Sequence, residues 1–220
     1  CCTSRGGVAA LDLATGKLLW KQYHIVEEPT LRTGANEMPR RFGPAGASTY
    51  TPLAIDAKRG VLYASTAEEY GLLDPRGPYS VIAYDLESGA RKWQRQFLPD
   101  ASARELACAA AAPTDCRNLF STGTSVTIVT LAGGKQVLTV GQKWGFVYGL
   151  DPDSNGEELW RTRVALGGDL GGVMYGMATD GSALYVPVSD DEASPPHRPG
   201  GLAALDPASG AVLWRVAGPD

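Results

Sequence analysis

One pattern is written into this chain four times. Val8–Trp20 reads Val-Ala-Ala-Leu-Asp-Leu-Ala-Thr-Gly-Lys-Leu-Leu-Trp, and Val81–Trp93 and Leu202–Trp214 repeat it. Val147–Trp160 is a fourth copy with one extra residue in its turn. A unit that recurs in phase must stack on its neighbours, because it cannot bury its apolar face alone. Within each copy, the apolar run before the Asp has the character of a buried or half-buried strand. Asp, then Thr or Ser, then Gly is turn chemistry: the short polar side chains bond nearby backbone N–H groups, and Gly takes a positive φ. The Trp returns on the second strand, and an aromatic at fixed phase should pack at the seam between units.

Between the copies lie further strand signals. The second unit reads as Thr49–Ile55, Gly60–Thr66, Val81–Asp85 and Arg91–Phe97. The third reads as Ser125–Leu131, Gln136–Gly141, Gly145–Asp151 and Glu158–Thr162, and the fourth as Gly172–Thr179, Ala183–Ser189, Leu202–Asp206 and Val212–Ala217. Four antiparallel strands per unit, repeated radially, make a β-propeller blade. The expected fold is all-β: one partial propeller domain over residues 1–220, of about three and a half blades, with blade parts near 1–23, 49–97, 124–162 and 172–217. The chain opens at Cys1 in mid-repeat, so it reads as an internal piece of a longer protein and an open arc with unpaired edges. The copies are spaced more widely than the roughly 40–50 residues of a minimal blade, so the excess sits in loops, where ligand chemistry usually resides.

Composition narrows the function classes. The net charge is −4, with no basic face or run, which argues against a nucleic-acid partner. No apolar run is long enough to span a membrane. His24 and His197 have no Ser, Cys or Asp arrangement suited to nucleophilic catalysis, and there is no Cys-x-x-Cys-His haem site. The glycines of Gly167–Gly172 precede a strand and read as a turn.

The Ala-Leu-Asp-x-x-(Thr/Ser)-Gly-x-x-x-Trp repeat resembles the tryptophan-docking motif of the quinoprotein dehydrogenase propellers, which use pyrroloquinoline quinone (PQQ). The segments Cys1–Gly6, Ile55–Gly60, Thr130–Lys135 and Gly141–Tyr148 resemble the polyvinyl-alcohol-dehydrogenase-like branch most closely. The resemblance implies an eight-bladed parent, PQQ on the propeller axis, and Ca²⁺ beside it. It also implies an alcohol-type substrate, a cytochrome c-like electron acceptor, and a periplasmic or extracellular location.

It further implies roles, each with a plainer alternative. Lys143 matches the cation that reaches the quinone oxygens, where it would stabilise developing charge; otherwise it is a solvated lysine in a turn. Arg5 suits the PQQ carboxylates, or makes a surface salt bridge. Tyr50 stands where the family has a Trp against the PQQ ring, or is a core tyrosine. Cys1 and Cys2 form a vicinal disulfide against the cofactor, or two free thiols. Apart from the resemblance, Cys108 and Cys116 suit a loop-clamping disulfide rather than a metal site, because no Cys-x-x-Cys and no nearby His accompany them.

The chain also departs from the family. Glu68 replaces the Asn that helps hold Ca²⁺; a carboxylate is a competent ligand there, or simply part of an acidic loop. Ser102 stands in the place of the catalytic Asp and cannot act as that base, with Asp100 and Glu105 nearby but out of register. Tyr175 stands where the branch often has Trp. Two functions therefore remain open: part of a PQQ-dependent alcohol dehydrogenase, or a propeller without cofactor that serves as a protein-binding or outer-membrane assembly scaffold. Convergence of Lys143, Arg5, Glu68 and Tyr50 on one axial site would favour the first.

Overall fold

Each Asp–Gly–Trp copy is a β-hairpin closed by its own aspartate. In the computed structural model, which describes residues 3–32, 42–70, 77–98, 120–168, 171–190 and 200–218, Asp12 accepts hydrogen bonds from the Thr15 N–H (2.8 Å) and hydroxyl. Asp85 does the same with Ser88 (2.9 and 2.8 Å) and Asp206 with Ser209 (2.8 and 3.1 Å). The turn glycine then bonds back to the carbonyl of the aspartate in every copy, as Gly89 does to Asp85 at 2.9 Å. Its φ is near +70° throughout, a region open to Gly and costly for other residues. These donors hold the carboxyl groups of Asp12, Asp85 and Asp206 below the usual carboxylate range: the Thr15 hydroxyl leads for Asp12, and the Ser88 and Ser209 N–H groups lead for the other two.

The strands run β1 (Gly7–Leu11), β2 (Leu18–Tyr23), β3 (Thr30–Leu31), β4 (Phe42–Gly43), β5 (Ala54–Asp56), β6 (Val61–Ser65), β7 (Ser80–Asp85) and β8 (Arg91–Gln96). They continue as β9 (Thr127–Thr130), β10 (Gln136–Gly141), β11 (Phe146–Asp151), β12 (Glu157–Arg163), β13 (Ala178–Thr179), β14 (Leu184–Val188), β15 (Gly201–Leu205) and β16 (Val212–Ala217). Three four-stranded antiparallel meanders result, β5–β8, β9–β12 and β13–β16, preceded by the β1–β2 hairpin. This is the partial propeller that the repeat implies. A small antiparallel pair, β3–β4, lies between the first hairpin and the first meander and has no counterpart in the strands read from the sequence.

The cores lie between sheets, as stacking of neighbouring units requires. Val8 and Trp20 pack with Leu62, Ile82 and Tyr84. Tyr63, Val81 and Phe97 pack with Leu138, Val140 and Tyr148, and Val129, Val147 and Trp160 with Leu184, Val186 and Ala203. Trp20, Trp93 and Trp160 each cross to the next blade and lie on its turn glycine. A Cβ would stand 2.5 Å from the Trp20 ring at Gly89 and 2.6 Å from the Trp93 ring at Gly156, and would overlap the Trp160 ring at Gly210. The Trp20 and Trp160 indole N–H groups donate to the Leu86 and Pro207 carbonyls at 3.3 and 3.1 Å. The expected seam is therefore a specific contact: indole on glycine, N–H on carbonyl. Trp214, in the last copy, is 42% exposed.

The innermost strands are shorter than the sequence suggests. Residues 49–53 and 171–177 carry no continuous ladder. Hydroxyls do part of its work: Thr49 Oγ1 donates to the Ser65 carbonyl at 2.9 Å, and Thr51 Oγ1 bonds Ser65 Oγ at 2.8 Å. Pro52 has no N–H to give, and Tyr175 has a φ of 71°, which ends extended pairing.

Two stability outcomes follow. Gly16→Ala, at φ +70° with nothing within 4 Å of the added Cβ, should cost about 1–2 kcal/mol. Gly156→Ala adds a clash with Trp93 and should cost about 2–4 kcal/mol in urea denaturation. His24 is buried between Tyr84 (Nδ1···Oη 2.8 Å) and Thr49 (Nε2···Oγ1 2.9 Å). Burial first, then the Arg91 charge, lowers its pKa to about 4 from 6.5. The unfolded chain thus binds the extra proton more readily, so stability is full above pH 6.5 and falls as the pH drops towards 4, by about 3 kcal/mol in all. His24→Gln should flatten that slope in denaturation series at pH 7 and pH 5.

Candidate functional site

The meander sorts the connections onto two ends, and the longest of them share one. Tight hairpin turns, such as 12–16, 56–60, 85–89 and 206–210, fall at one end. The connections 66–79, 97–126, 142–145 and 164–177 fall at the other. Lys143, Glu68, Tyr50 and Arg5 all lie on the long-loop end, because each stands just outside a strand on that side.

Lys143 sits in the tight turn Gln142–Gly145, which is closed by the Gly145 N–H on the Gln142 carbonyl at 2.9 Å. Its own N–H donates to the Ser121 carbonyl at 3.0 Å, and its carbonyl accepts from the Gly168 N–H at 3.2 Å. The residue is only 4% exposed, so it is not a solvated turn lysine. The adjacent Gln142 is fully buried and ties three segments together. Its Nε2 donates to the Phe97 and Phe120 carbonyls at 3.1 and 2.6 Å, and its Oε1 accepts from the Tyr148 hydroxyl at 3.0 Å.

Glu68 is half-buried, and its Oε2 accepts from Ser121 Oγ at 2.8 Å. Tyr50 donates its hydroxyl to the Thr122 carbonyl at 3.1 Å. It is not a core tyrosine: half of the residue is exposed, while its phenolic end is desolvated. That burial, then the Glu68 carboxylate, then Tyr175 and Tyr70, pushes its pKa up to about 12, so it remains a protonated donor. Glu68 and Tyr50 by their side chains, and Lys143 by its backbone N–H, thus meet on one dipeptide, Ser121-Thr122. The Thr122 hydroxyl anchors that dipeptide to the Thr66 carbonyl at 2.7 Å. Tyr175 flanks it at 78% exposure, its N–H on the Gly123 carbonyl at 2.7 Å.

Arg5 joins by backbone only. It bridges Gly46, which in turn bridges Glu69. Its guanidinium instead donates to the Ile25, Val26 and Glu27 carbonyls at 3.3, 2.8 and 3.1 Å, and lies 4.1 Å from the centre of the Tyr23 ring. Its nearest carboxylate is Glu28 at 3.8 Å. Cys1, Cys2, Asp100, Ser102, Glu105, Cys108, Cys116 and His197 lie outside the described residues.

The sequence reading passed over Ser121 and Thr122. A signal for them was present: Ser48-Thr49-Tyr50-Thr51 recurs as Ser121-Thr122-Gly123-Thr124 at the start of the next blade. Both runs serve as hydroxyl-bearing inner edges, with Ala67 N–H on the Ser48 carbonyl (2.8 Å) as Lys143 N–H is on Ser121.

A lysine and two exposed tyrosines, Tyr50 and Tyr175, are the kinds of residue an anionic quinone takes, while the hydroxyls of Ser121, Thr122 and Tyr50 are given to Glu68, Thr66 and Thr122. It does not suit calcium in the same way. Among the described residues, no group of three or more His, Cys, Asp or Glu side chains comes together, and Glu68 contributes a single carboxylate.

Several known proteins are similar. A family profile described as the β-propeller domain of glucose/ethanol/alcohol dehydrogenases matches residues 2–162, and one described as outer membrane protein assembly factor BamB matches residues 143–219. A polyvinylalcohol dehydrogenase of Pseudomonas sp. is 38% identical over 221 residues, covering 100% of this chain and 34% of that protein. A second, from Sphingopyxis sp. strain 113P3, is 36% identical over 97% of this chain and 34% of its own length. The quinohemoprotein alcohol dehydrogenase of Comamonas testosteroni shares the fold at a TM-score of 0.66 and 17% identity, over 98% of this chain and 43% of that one. The chain therefore spans about a third of the length of these curated relatives.

Replacing Gln142 by Leu should strand two buried carbonyls and the Tyr148 hydroxyl. At about 1–3 kcal/mol for each unsatisfied group, a loss of roughly 3–5 kcal/mol in urea denaturation is expected.

Proposed function

The chain belongs to the glucose/ethanol/alcohol dehydrogenase β-propeller family, and on that premise we propose that it forms part of a PQQ-dependent dehydrogenase that oxidises an alcohol-type substrate. The observation that carries this is the joining of Lys143, Glu68 and Tyr50 through Ser121-Thr122 at the long-loop end. The names of the relatives suggest a polymeric secondary alcohol as the substrate.

PQQ, when bound, supplies the oxidising ortho-quinone. Lys143 contributes a buried cation, which would stabilise negative charge developing on a bound acceptor more strongly than a solvated one could. Its backbone is fixed on both sides, so little reorganisation is needed. Tyr50 and Tyr175 offer ring faces against which a planar heterocycle packs. The Tyr50 hydroxyl, held on Thr122, fixes the angle of its ring. Arg5 supports this end indirectly, by holding the Ile25–Glu27 carbonyls. A cytochrome c-like protein as electron acceptor and a periplasmic or extracellular location complete the proposal.

The second reading, an assembly scaffold without cofactor, draws on the BamB match over residues 143–219. It gives no reason for a buried lysine and a hydroxyl-bound carboxylate to meet on one dipeptide.

Titration of the full-length protein with PQQ, followed by tryptophan fluorescence and by turnover of polyvinyl alcohol, decides between the two. Saturable quenching and turnover support the dehydrogenase, and absence of both ends it. Lys143→Met should lower turnover by about 10²-fold or more, the scale of losing one charge-stabilising group.

A further inference from the structure

We infer that Glu68 is the general base that takes the substrate's hydroxyl proton, and that Ser121 is its positioning residue. This rests on the alcohol-oxidising reading above. Loss of hydride from a carbinol carbon leaves a protonated carbonyl unless the hydroxyl proton departs in the same step, so a proton acceptor must stand within hydrogen-bond reach. Five acidic side chains lie at the long-loop end among the described residues, of which Glu27 and Glu28 are exposed beside Arg5. Asp190 already accepts from the Leu166 and Gly167 N–H groups, at 2.8 and 3.3 Å, through one oxygen and is 8% exposed. Glu69 is 3% exposed, too enclosed to meet a substrate. Glu68 is half-buried. Its Oε2 is fixed by Ser121, and its Oε1 accepts no hydrogen bond among the described residues.

One oxygen held and one open is the arrangement a carboxylate base needs. The held oxygen fixes the orientation, and the open one receives the proton. In the step itself, the substrate O–H bond breaks and an O–H bond forms at Glu68 Oε1. The carbinol C–H pair would leave as hydride while the C=O bond forms, and PQQ, when bound, would supply the two-electron acceptor. Glu68 then releases its proton to water and is again a carboxylate. Ser121 acts on both sides of this step. Its hydroxyl sets the carboxylate, and its carbonyl sets Lys143 through the 3.0 Å bond to that N–H.

The test uses the full-length protein loaded with PQQ and compares Glu68→Gln, Glu68→Ala, Ser121→Ala and Ser121→Thr. Turnover is measured beside PQQ affinity, read by tryptophan quenching without substrate. Glu68→Gln should lower turnover by about 10²–10⁴-fold while leaving PQQ affinity nearly unchanged. Added formate should restore turnover to Glu68→Ala and give nothing to Glu68→Gln. Ser121→Ala should lower turnover by roughly tenfold, and Ser121→Thr should recover most of it. Turnover of Glu68→Gln near that of the unmodified protein, or no formate rescue, overturns the inference. So does restoration of Glu68→Gln by excess Ca²⁺, which would make the carboxylate a metal ligand. If the unmodified protein neither binds PQQ nor oxidises the alcohol, the underlying reading falls and takes this one with it.

Discussion

An indole lying on a glycine is the contact on which this structure depends. Trp20, Trp93 and Trp160 each cross to the following blade and occupy the space a side chain would fill at Gly89, Gly156 and Gly210. Where the indole N–H is bonded, it meets a carbonyl three residues before that glycine. The contact joins two demands in one residue. The glycine must adopt a positive φ to close its own hairpin, and it must lack a Cβ to admit its neighbour's ring. Because each blade meets this demand on one side and imposes it on the other, the fold propagates along the chain without long-range instruction.

The consequence for function is geometric. Strict docking at the turn end holds the blades at a constant pitch, and the opposite end is free to vary. That is where the long connections and the candidate chemistry are found. The Ser121-Thr122 dipeptide translates the scaffold into a site, because it belongs to one blade and bonds residues of the blade before it. Gln142 secures the same region from beneath, with three hydrogen bonds from a side chain that has no contact with solvent. Lys143 is thus presented by a turn whose two neighbours are fixed, an arrangement suited to charge stabilisation without reorganisation.

The propeller architecture, the hairpin turns and the Trp seams were all legible in the sequence, because each depends on residues close together in the chain. Asp85 bonds Ser88, and Gly89 bonds Asp85, over a span of five residues. The inner strands were overextended in that reading. Hydroxyls from Thr49 and Thr51 replace ladder bonds, and a hydroxyl-rich run looks the same whether or not it pairs. Among the site candidates drawn from the family resemblance, Lys143, Glu68, Tyr50 and Arg5 fall at one end of the strands, but their side-chain directions were not legible. Arg5 has the right chemistry for a carboxylate and spends it on three carbonyls.

The sequence by itself therefore determined the repeating unit and the number of copies. Local turn chemistry and phase encode both. Only the tertiary structure decided which residues meet. Tyr50 and Thr122 stand 72 positions apart, and Glu68 and Ser121 stand 53 apart. Their contact is set by the pitch between blades, a property of the stacked sheets that no single segment carries.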